Sequence, residues 1–261
     1  SKTSLSIGGN ELTLFVVGTM ASNAPNHNRI VSFLADGFSF DWNNLQSFAF
    51  NRRGGEQRIH GELNGWQSYV DITYDQPFFA STSFDGTSNL TFANGVAGAD
   101  TTSTPLFNLP GTFTAGGSAN HHVGKISEIL LFDKYLDPNG RMAIEGYLAH
   151  KWGLASNLQN DHPYKNSISI SSPPTVSGPF APRNLANLEL WLDADAISAS
   201  SGALALWKDR SGNGKDASQS TANDRPSVVA NAMGGKKVVR FNNDWLNVGT
   251  IRSGLGAMNA F

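Results

Sequence analysis

Short apolar runs separated by polar, glycine-containing turns recur along the first half of the sequence. Within residues 67–74 apolar and polar residues alternate, which is the period of a half-buried β-strand. The run LTLFVV at residues 12–17 is apolar throughout and predicts a buried strand. Further strands are predicted at residues 30–34, 47–51 and 78–84. The pattern predicts a chain of many strands joined by tight turns.

The segment LTFANGVA at residues 90–97 predicts a β-hairpin. Asn94 and Gly95 stand between apolar residues, and both central positions of a type I′ turn need a positive φ, which Asn and Gly adopt most readily. We therefore expect two antiparallel strands joined by a two-residue turn at this point.

A strand followed by a short helix is predicted between residues 125 and 154. Residues 126–132 form the strand, Asp137 is placed to cap the helix, and Pro138 suits its first turn. Gly153 follows the last periodic residue and is expected to end the helix. The residues predicted to share one face of this helix are Ile144, Tyr147, Leu148 and Trp152.

The composition changes abruptly after Tyr164. Residues 166–184 carry four prolines among serines and show no apolar period, which predicts an extended, semi-rigid linker. The strands predicted beyond it are at residues 188–194, 205–209, 237–241 and 245–248.

The composition also limits the partners of the chain. Charged residues make up 15% of the 261 residues and the formal net charge is -2, so no basic surface for nucleic acid is expected. The absence of cysteine removes disulfides, thiolate metal sites and cysteine nucleophiles. No apolar run reaches the ~20 residues of a membrane-spanning helix and no signal-peptide pattern starts the sequence, so we expect no membrane insertion.

Several segments resemble LamG-like (concanavalin A-like) jelly-roll domains of large bacterial extracellular, adhesin-type repeat proteins. The motifs are LWLDA at 190–194, WKDRSGNGKDA at 207–217, KISEILLFD at 125–133 and EGYLAHKWGL at 145–154. The resemblance covers nearly the whole chain and implies an all-β jelly-roll β-sandwich with one short α-helix. It also implies a location outside a bacterial cell or on its surface.

The order of these motifs is rotated, because the family begins with LWLDA and ends with EGYLAHKWGL. Residues 1–165 thus resemble the C-terminal major part of one jelly roll, 166–184 the linker, and 185–261 the N-terminal part of the next. Unpaired strand edges and half a core would otherwise face water, so each part needs a complement. We expect residues 185–261 to complete the jelly roll of a neighbouring copy in a tandem array or filament. The alternative is that the two parts pair within one chain, as in a circular permutant.

The function expected from this organisation is a non-enzymatic structural or adhesive module whose partners are copies of itself. The alternative is a lectin-like module that recognises glycans at one rim, where aromatic rings stack on sugars beside polar side chains. The candidate platform residues are Trp42, Trp66, Tyr69, Tyr74 and Trp245. For any one of them, packing in the core is the competing interpretation.

Calcium is the one cofactor that the sequence suggests. Asp209, Ser211 and Asn213 have the spacing of the first half of an oxygen-ligand loop, but Ser220 stands where an EF-hand needs Glu. Resemblance to jelly rolls that hold a structural calcium supports the site. The candidate ligands are Asp209, Asn213, Asp216, Asp193 and Asp195. The alternative is an Asx-type turn, in which Asp209 and Asn213 bond the neighbouring backbone.

No catalytic residue is assigned. Retaining glycoside hydrolases, which the concanavalin A-like superfamily includes, need two carboxylates about 5 Å apart. Glu128 stands alone in its predicted strand, and Glu56 and Glu62 fall in a stretch predicted to be rich in turns. A glycoside hydrolase is therefore the least favoured of the functions considered.

Overall fold

The computed structural model describes residues 11–35, 47–52, 56–63, 66–99, 101–102, 111–117, 120–167 and 180–251. Trp42, one of the predicted platform residues, lies outside the described residues. The backbone of Trp66 is described and its side chain is not.

Residues 168–179 of the predicted linker lie outside the described residues, and Pro182–Asn184 form a single turn of 3-10 helix. Strands dominate the chain before and after this predicted linker. Before it lie β1 (Leu12–Met20), β2 (Arg29–Ala35), β3 (Ser47–Asn51), β4 (Arg58–Leu63), β5 (Trp66–Asp71), β6 (Phe78–Phe84), β7 (Ser88–Ala93), β8 (Val96–Ala97), β9 (Thr101–Thr102), β10 (Gly111–Ala115), β11 (Val123–Phe132) and the helix α1 (Pro138–Lys151). After it lie β12 (Leu188–Asp193), β13 (Ser201–Ala203), β14 (Leu206–Trp207), β15 (Ala217–Ser218), β16 (Ser227–Met233), β17 (Lys236–Asn242) and β18 (Leu246–Ile251).

The strands form two antiparallel sheets. The ten-stranded sheet has the order β13-β16-β17-β11-β1-β6-β7-β8, with β12 also paired to β11 and β9 to β7. The eight-stranded sheet has the order β14-β15-β18-β10-β2-β3-β4-β5. Apolar side chains of both sheets enclose a common core. The expected all-β jelly-roll sandwich with one short α-helix is confirmed.

Strand β1 is central to the ten-stranded sheet, paired to β11 on one side and β6 on the other. All nine of its residues are buried, as the continuous apolar run at residues 12–17 predicts. The hairpin prediction is also confirmed, because β7 and β8 are joined through Asn94 with φ 53° and Gly95 with φ 79°.

Helix α1 has the predicted ends. Asp137 accepts a hydrogen bond from the Gly140 amide over 2.7 Å, and Pro138 is the first helical residue. Gly153, at φ 73°, takes the left-handed conformation just after the helix. Of the predicted face, Ile144, Leu148 and Trp152 are buried and Tyr147 is half-buried.

One segment was predicted wrongly. Residues 56–62, expected to be rich in turns, include most of β4. The sequence RIHGEL alternates, with Ile59 in the core and Arg58, His60 and Glu62 on the other face. Because one face of this strand is polar and the strand contains a glycine, it has no continuous apolar run. Its two-residue alternation is therefore not detected by a search for such runs.

The parts of the chain before and after the linker meet along one boundary, which we term the seam. It consists of the pairings of β11 with β12 and β17, and of β10 with β18. Strand β11 thus joins both parts in one sheet, and β10 does so in the other.

In this chain the two parts therefore pair with each other, which is the circular-permutant arrangement. Each seam pairing joins a residue before the linker to a residue after it. The same pairs would form if the second part came from a neighbouring copy, so exchange between copies stays a prediction.

Candidate functional site

Four adjacent strands of the eight-stranded sheet place polar side chains in one line on the face away from the core. The line, termed the polar row, consists of Tyr69 on β5, His60 on β4, Asn51 on β3 and Arg29 on β2, each in register with the next. The neighbouring residues Val70 and Ile59 belong to the core, so the alternation of the strands directs the row to the opposite face.

The middle of the polar row is buried and carries charge. Arg29, Asn51 and His60 are buried, and Asn51 Nδ2 donates to the buried Glu62 carboxylate over 2.7 Å. Burial lowers the pKa of Arg29 to about 10, against the opposing effect of the Glu62 charge. The guanidinium therefore stays cationic at neutral pH.

The Tyr69 end of the row is open to solvent. Tyr69 is half-buried, and the Arg58 guanidinium lies 4.5 Å from its ring centre. Arg58 donates to Asp71 over 2.9 Å and to Glu56 over 2.8 Å. The Asp71 side chain remains 81% exposed, so its carboxylate can accept hydrogen bonds from a ligand.

A cleft of about 460 Å³ opens beside Tyr69, between the β5 edge and the β7–β8 hairpin. The residues that line it include an aromatic residue, small apolar residues, two asparagines and an aspartate. Its lining includes Tyr69, Asp71, Asn94, Val96 and Asn157. We term this the Tyr69 cleft.

Gly98 allows the cleft wall to approach the edge of β5. A Cβ on this residue would lie 1.9 Å from the Tyr69 carbonyl oxygen, which is shorter than any real contact. The adjacent Ala99 amide donates to that same oxygen over 2.9 Å. The edge strand is thereby covered and Tyr69 is held in place.

Of the predicted platform residues, Tyr69, Tyr74 and Trp245 have described side chains, and each has its own partners. Tyr74 packs under Arg52, 4.5 Å from its ring centre, and its hydroxyl donates to the Glu56 carbonyl. Trp245 stacks on His121 with ring centres 6.1 Å apart and planes at 14°. Tyr69 is one of the residues that line a cleft.

Sequence reasoning missed His60, Asn51 and Arg29. The signal that could have found His60 is the period-two alternation of β4, which places it beside Arg58 and Glu62 on one face. Asn51 and Arg29 join them through strand register, which a single sequence does not reveal.

The Asp209 turn has the hydrogen bonds of an Asx-type turn. Its carboxylate accepts from the Trp191, Ser211 and Lys215 amides and from the Ser211 hydroxyl, over 2.7 to 3.0 Å. Asn213 donates to the Leu188 carbonyl over 3.0 Å.

The other candidate calcium ligands have cationic or amide partners. Asp216 pairs with Lys208 and accepts from the Asp209 amide, and Asp195 pairs with Lys236. Across the described ranges there is no group of three or more His, Cys, Asp or Glu side chains that could hold a metal. Calcium binding by these residues stays a prediction.

Asp193 belongs instead to a buried cluster at the seam. This seam cluster consists of Glu128, Tyr147, Lys151, Trp152, Trp191, Asp193 and Arg210. The indoles of Trp152 and Trp191 each donate to Glu128 over 2.6 Å. Burial raises the pKa of Glu128, and Lys151, 2.8 Å away, opposes that rise. The two tryptophans thus hold a buried carboxylate.

No protein-family model matches the sequence, and no curated protein matches it. Solved structures are similar in fold. A protein from Bacteroides ovatus ATCC 8483, provisionally described as carbohydrate-binding, is 12% identical over 86% of this chain, with a TM-score of 0.51. This chain spans 55% of that protein.

Two further structures show weaker likeness. The CBM40 of the Ruminococcus gnavus IT-sialidase, bound to α2,3-sialyllactose, is 13% identical, with a TM-score of 0.42 over 53% of this chain and 84% of that one. Trypanosoma rangeli sialidase is 14% identical, with a TM-score of 0.38 over 49% of this chain and 21% of that one.

The likeness to the Bacteroides protein shows a concanavalin-like β-sandwich. In the part of the chain that the structure describes, no helix is long and apolar enough to cross a membrane.

Proposed function

We propose that the chain is a carbohydrate-binding module and that the Tyr69 cleft holds the sugar. The observation that carries the proposal is the half-buried Tyr69 ring in an open cleft beside the exposed Asp71 carboxylate. A sugar needs an apolar surface for its C–H face and polar partners for its hydroxyls, and this cleft provides both.

Each side of the cleft has its own role in this proposal. Tyr69 and Val96 contact the apolar face of the sugar, and Asp71, Asn94 and Asn157 accept from or donate to its hydroxyl groups. Arg58 packs on the Tyr69 ring and holds Asp71, so that both are ordered before the sugar arrives.

The fold is compatible with this function, since the Bacteroides ovatus protein of similar fold is provisionally described as carbohydrate-binding. A module of this kind would act outside a bacterial cell or on its surface.

The test is a glycan array followed by calorimetry with a glycan that binds. Tyr69→Ala should weaken binding about tenfold, because it removes a stacking contact of about 1.4 kcal/mol. Tyr135→Ala is the matched control, since Tyr135 is 39% exposed and does not line the cleft. Absence of any binding, or equal loss in both variants, would refute the proposal.

We also propose self-assembly as a second function, in which copies exchange the strands of the seam and form an array or filament. The observation in its favour is that both sheets are completed by strands that follow the linker. An interface of this kind resembles a divided core and belongs to obligate assemblies.

Cysteine cross-linking distinguishes exchange from pairing within one chain. Lys125 on β11 and Arg240 on β17 are opposite each other across the seam, and the sequence contains no cysteine. Oxidised Lys125→Cys/Arg240→Cys protein should give covalent multimers on a non-reducing gel if strands are exchanged. A cross-linked monomer as the sole product would refute exchange, and the Lys125→Cys single variant controls for random coupling.

A further inference from the structure

Lys151 lies between two buried carboxylates at the seam. Its Nζ is 2.8 Å from Glu128 Oε2 and 2.9 Å from Asp193 Oδ2. Glu128 and Asp193 are opposite residues on β11 and β12, with side chains 0% and 2% exposed. An amine, a carboxyl group that could acylate it and a second carboxylate thus meet at one site, where both carboxylates are buried.

Aromatic side chains surround the amine of Lys151, whose side chain is 16% exposed. Lys151 Nζ lies 5.2 Å from the Trp152 ring centre, 5.8 Å from that of Trp191 and 5.3 Å from that of Tyr147. In such surroundings the ammonium and the carboxylates lose part of their hydration. Fixed proximity also replaces a bimolecular encounter with a reaction between groups already in contact.

We propose that Lys151 and Asp193 form an isopeptide bond, with Glu128 as the proton carrier. Lys151 Nζ attacks Asp193 Cγ, forming the C–N bond while the C–Oδ2 bond breaks. Two protons of the Lys151 ammonium pass to Oδ2, which leaves as water. One ammonium and one carboxylate thus give one neutral amide and one water, with no change of oxidation state.

The neighbouring groups fit these steps. Glu128 Oε2 contacts Nζ and can take its proton, and burial of this carboxyl raises its pKa, which suits it to hold a proton in transit. The Asp195 amide donates to Asp193 Oδ1 over 3.1 Å, so it can stabilise negative charge that develops on that oxygen. Arg210 contacts Oδ2, the leaving oxygen.

After the amide forms, each charged group that remains at the site either keeps hydrogen-bond partners or is partly exposed to solvent. Glu128 keeps its hydrogen bonds from Trp152, Trp191 and Tyr147. Arg210 loses its carboxylate partner, but its side chain is 40% exposed and stays stacked on Trp191 at 4.6 Å. The bond would tie the end of α1 to β12 and so make the seam covalent, independently of any sugar binding.

Intact-mass spectrometry of the denatured full chain tests this inference directly. The chain should be one water lighter than the 27.9 kDa sequence, and a tryptic peptide pair joined through Lys151 and Asp193 should appear in fragment spectra. A wild-type chain at its full sequence mass would overturn the proposal. Because the protein is denatured for this measurement, an ion pair cannot imitate the result.

Variants separate the roles of the three residues. Lys151→Arg keeps the positive charge without a nucleophilic amine, and Glu128→Gln keeps the shape without the proton carrier, so both should have the full sequence mass. Lys208→Arg is the control, because Lys208 also contacts a carboxylate, Asp216, at 2.6 Å but is 71% exposed. The Lys208→Arg chain should still be one water lighter than its sequence mass. A Lys151→Arg chain that is also one water lighter would place the reaction elsewhere and refute the assignment.

Discussion

Glu128 on β11 lies directly opposite Asp193 on β12, so two buried carboxylates meet where the two parts of the chain join. Two negative charges on paired residues repel each other unless hydrogen-bond donors and cations compensate them. Lys151 contacts both carboxylates, and the two indoles donate to Glu128 alone. The stability of the seam therefore depends on these donors as well as on strand pairing.

Replacing Trp191 by Phe should lower the free energy of unfolding by about 1–3 kcal/mol. The ring remains, but the Nε1–H that donates to Glu128 is lost, so a buried carboxylate lacks one donor. Urea denaturation measures the change. Trp245→Phe, at a half-buried indole outside the seam cluster, should change the free energy by less than about 0.5 kcal/mol. Equal effects of the two variants would show that the indole donor contributes nothing to the seam.

Much of the fold could be predicted because its signals are local. The cap at Asp137, the Asn94-Gly95 turn and the apolar run of β1 depend on residues close in sequence. Strand β4 was not predicted, because its outward residues Arg58, His60 and Glu62 are polar and a polar strand face resembles a loop in composition.

The sites were harder to predict because they depend on register between distant strands. The seam cluster joins Glu128 to Trp191, which are 63 positions apart and belong to separate sequence motifs. Similarly, the exposure of Tyr69 and the burial of its neighbour His60 follow from packing that no local pattern records.

Substituting Gly146 by Ala should destabilise the protein by about 1–3 kcal/mol, although alanine is usually the better helix former. An added Cβ would lie 2.4 Å from Tyr164 Cβ, because the segment after the helix packs closely on α1. Gly140→Ala in the first turn is the matched control. Its Cβ would come no closer than 3.3 Å to the Asp137 carboxylate and 3.6 Å to Leu136 Cβ, and the stability of this variant should not fall. Thermal unfolding compares the two, and similar midpoints would contradict the packing argument.

Asp209→Asn should destabilise the turn by about 1–3 kcal/mol without any calcium present. Both carboxylate oxygens accept hydrogen bonds, and an amide would direct its NH₂ group at one pair of donors. Thermal unfolding of wild type and variant, each with calcium and with chelator, measures both effects. A calcium-dependent stabilisation of the wild type that the variant lacks would instead favour Asp209 as a metal ligand.

His122 should make the protein less stable as the pH falls from about 6.5 to about 4. The buried ring lies 2.9 Å from Asn28 Oδ1 and 3.1 Å from the Thr19 carbonyl, and burial lowers its pKa to about 4. The unfolded chain takes up a proton near pH 6.5 and the folded chain does not. Stability present above pH 6.5 is therefore lost in this window, by about 3 kcal/mol.

His122→Gln retains a polar side chain that does not titrate, so its urea-unfolding free energy should fall less than that of the wild type between pH 7 and pH 4. Parallel curves for the two proteins would show that His122 is protonated equally in both states.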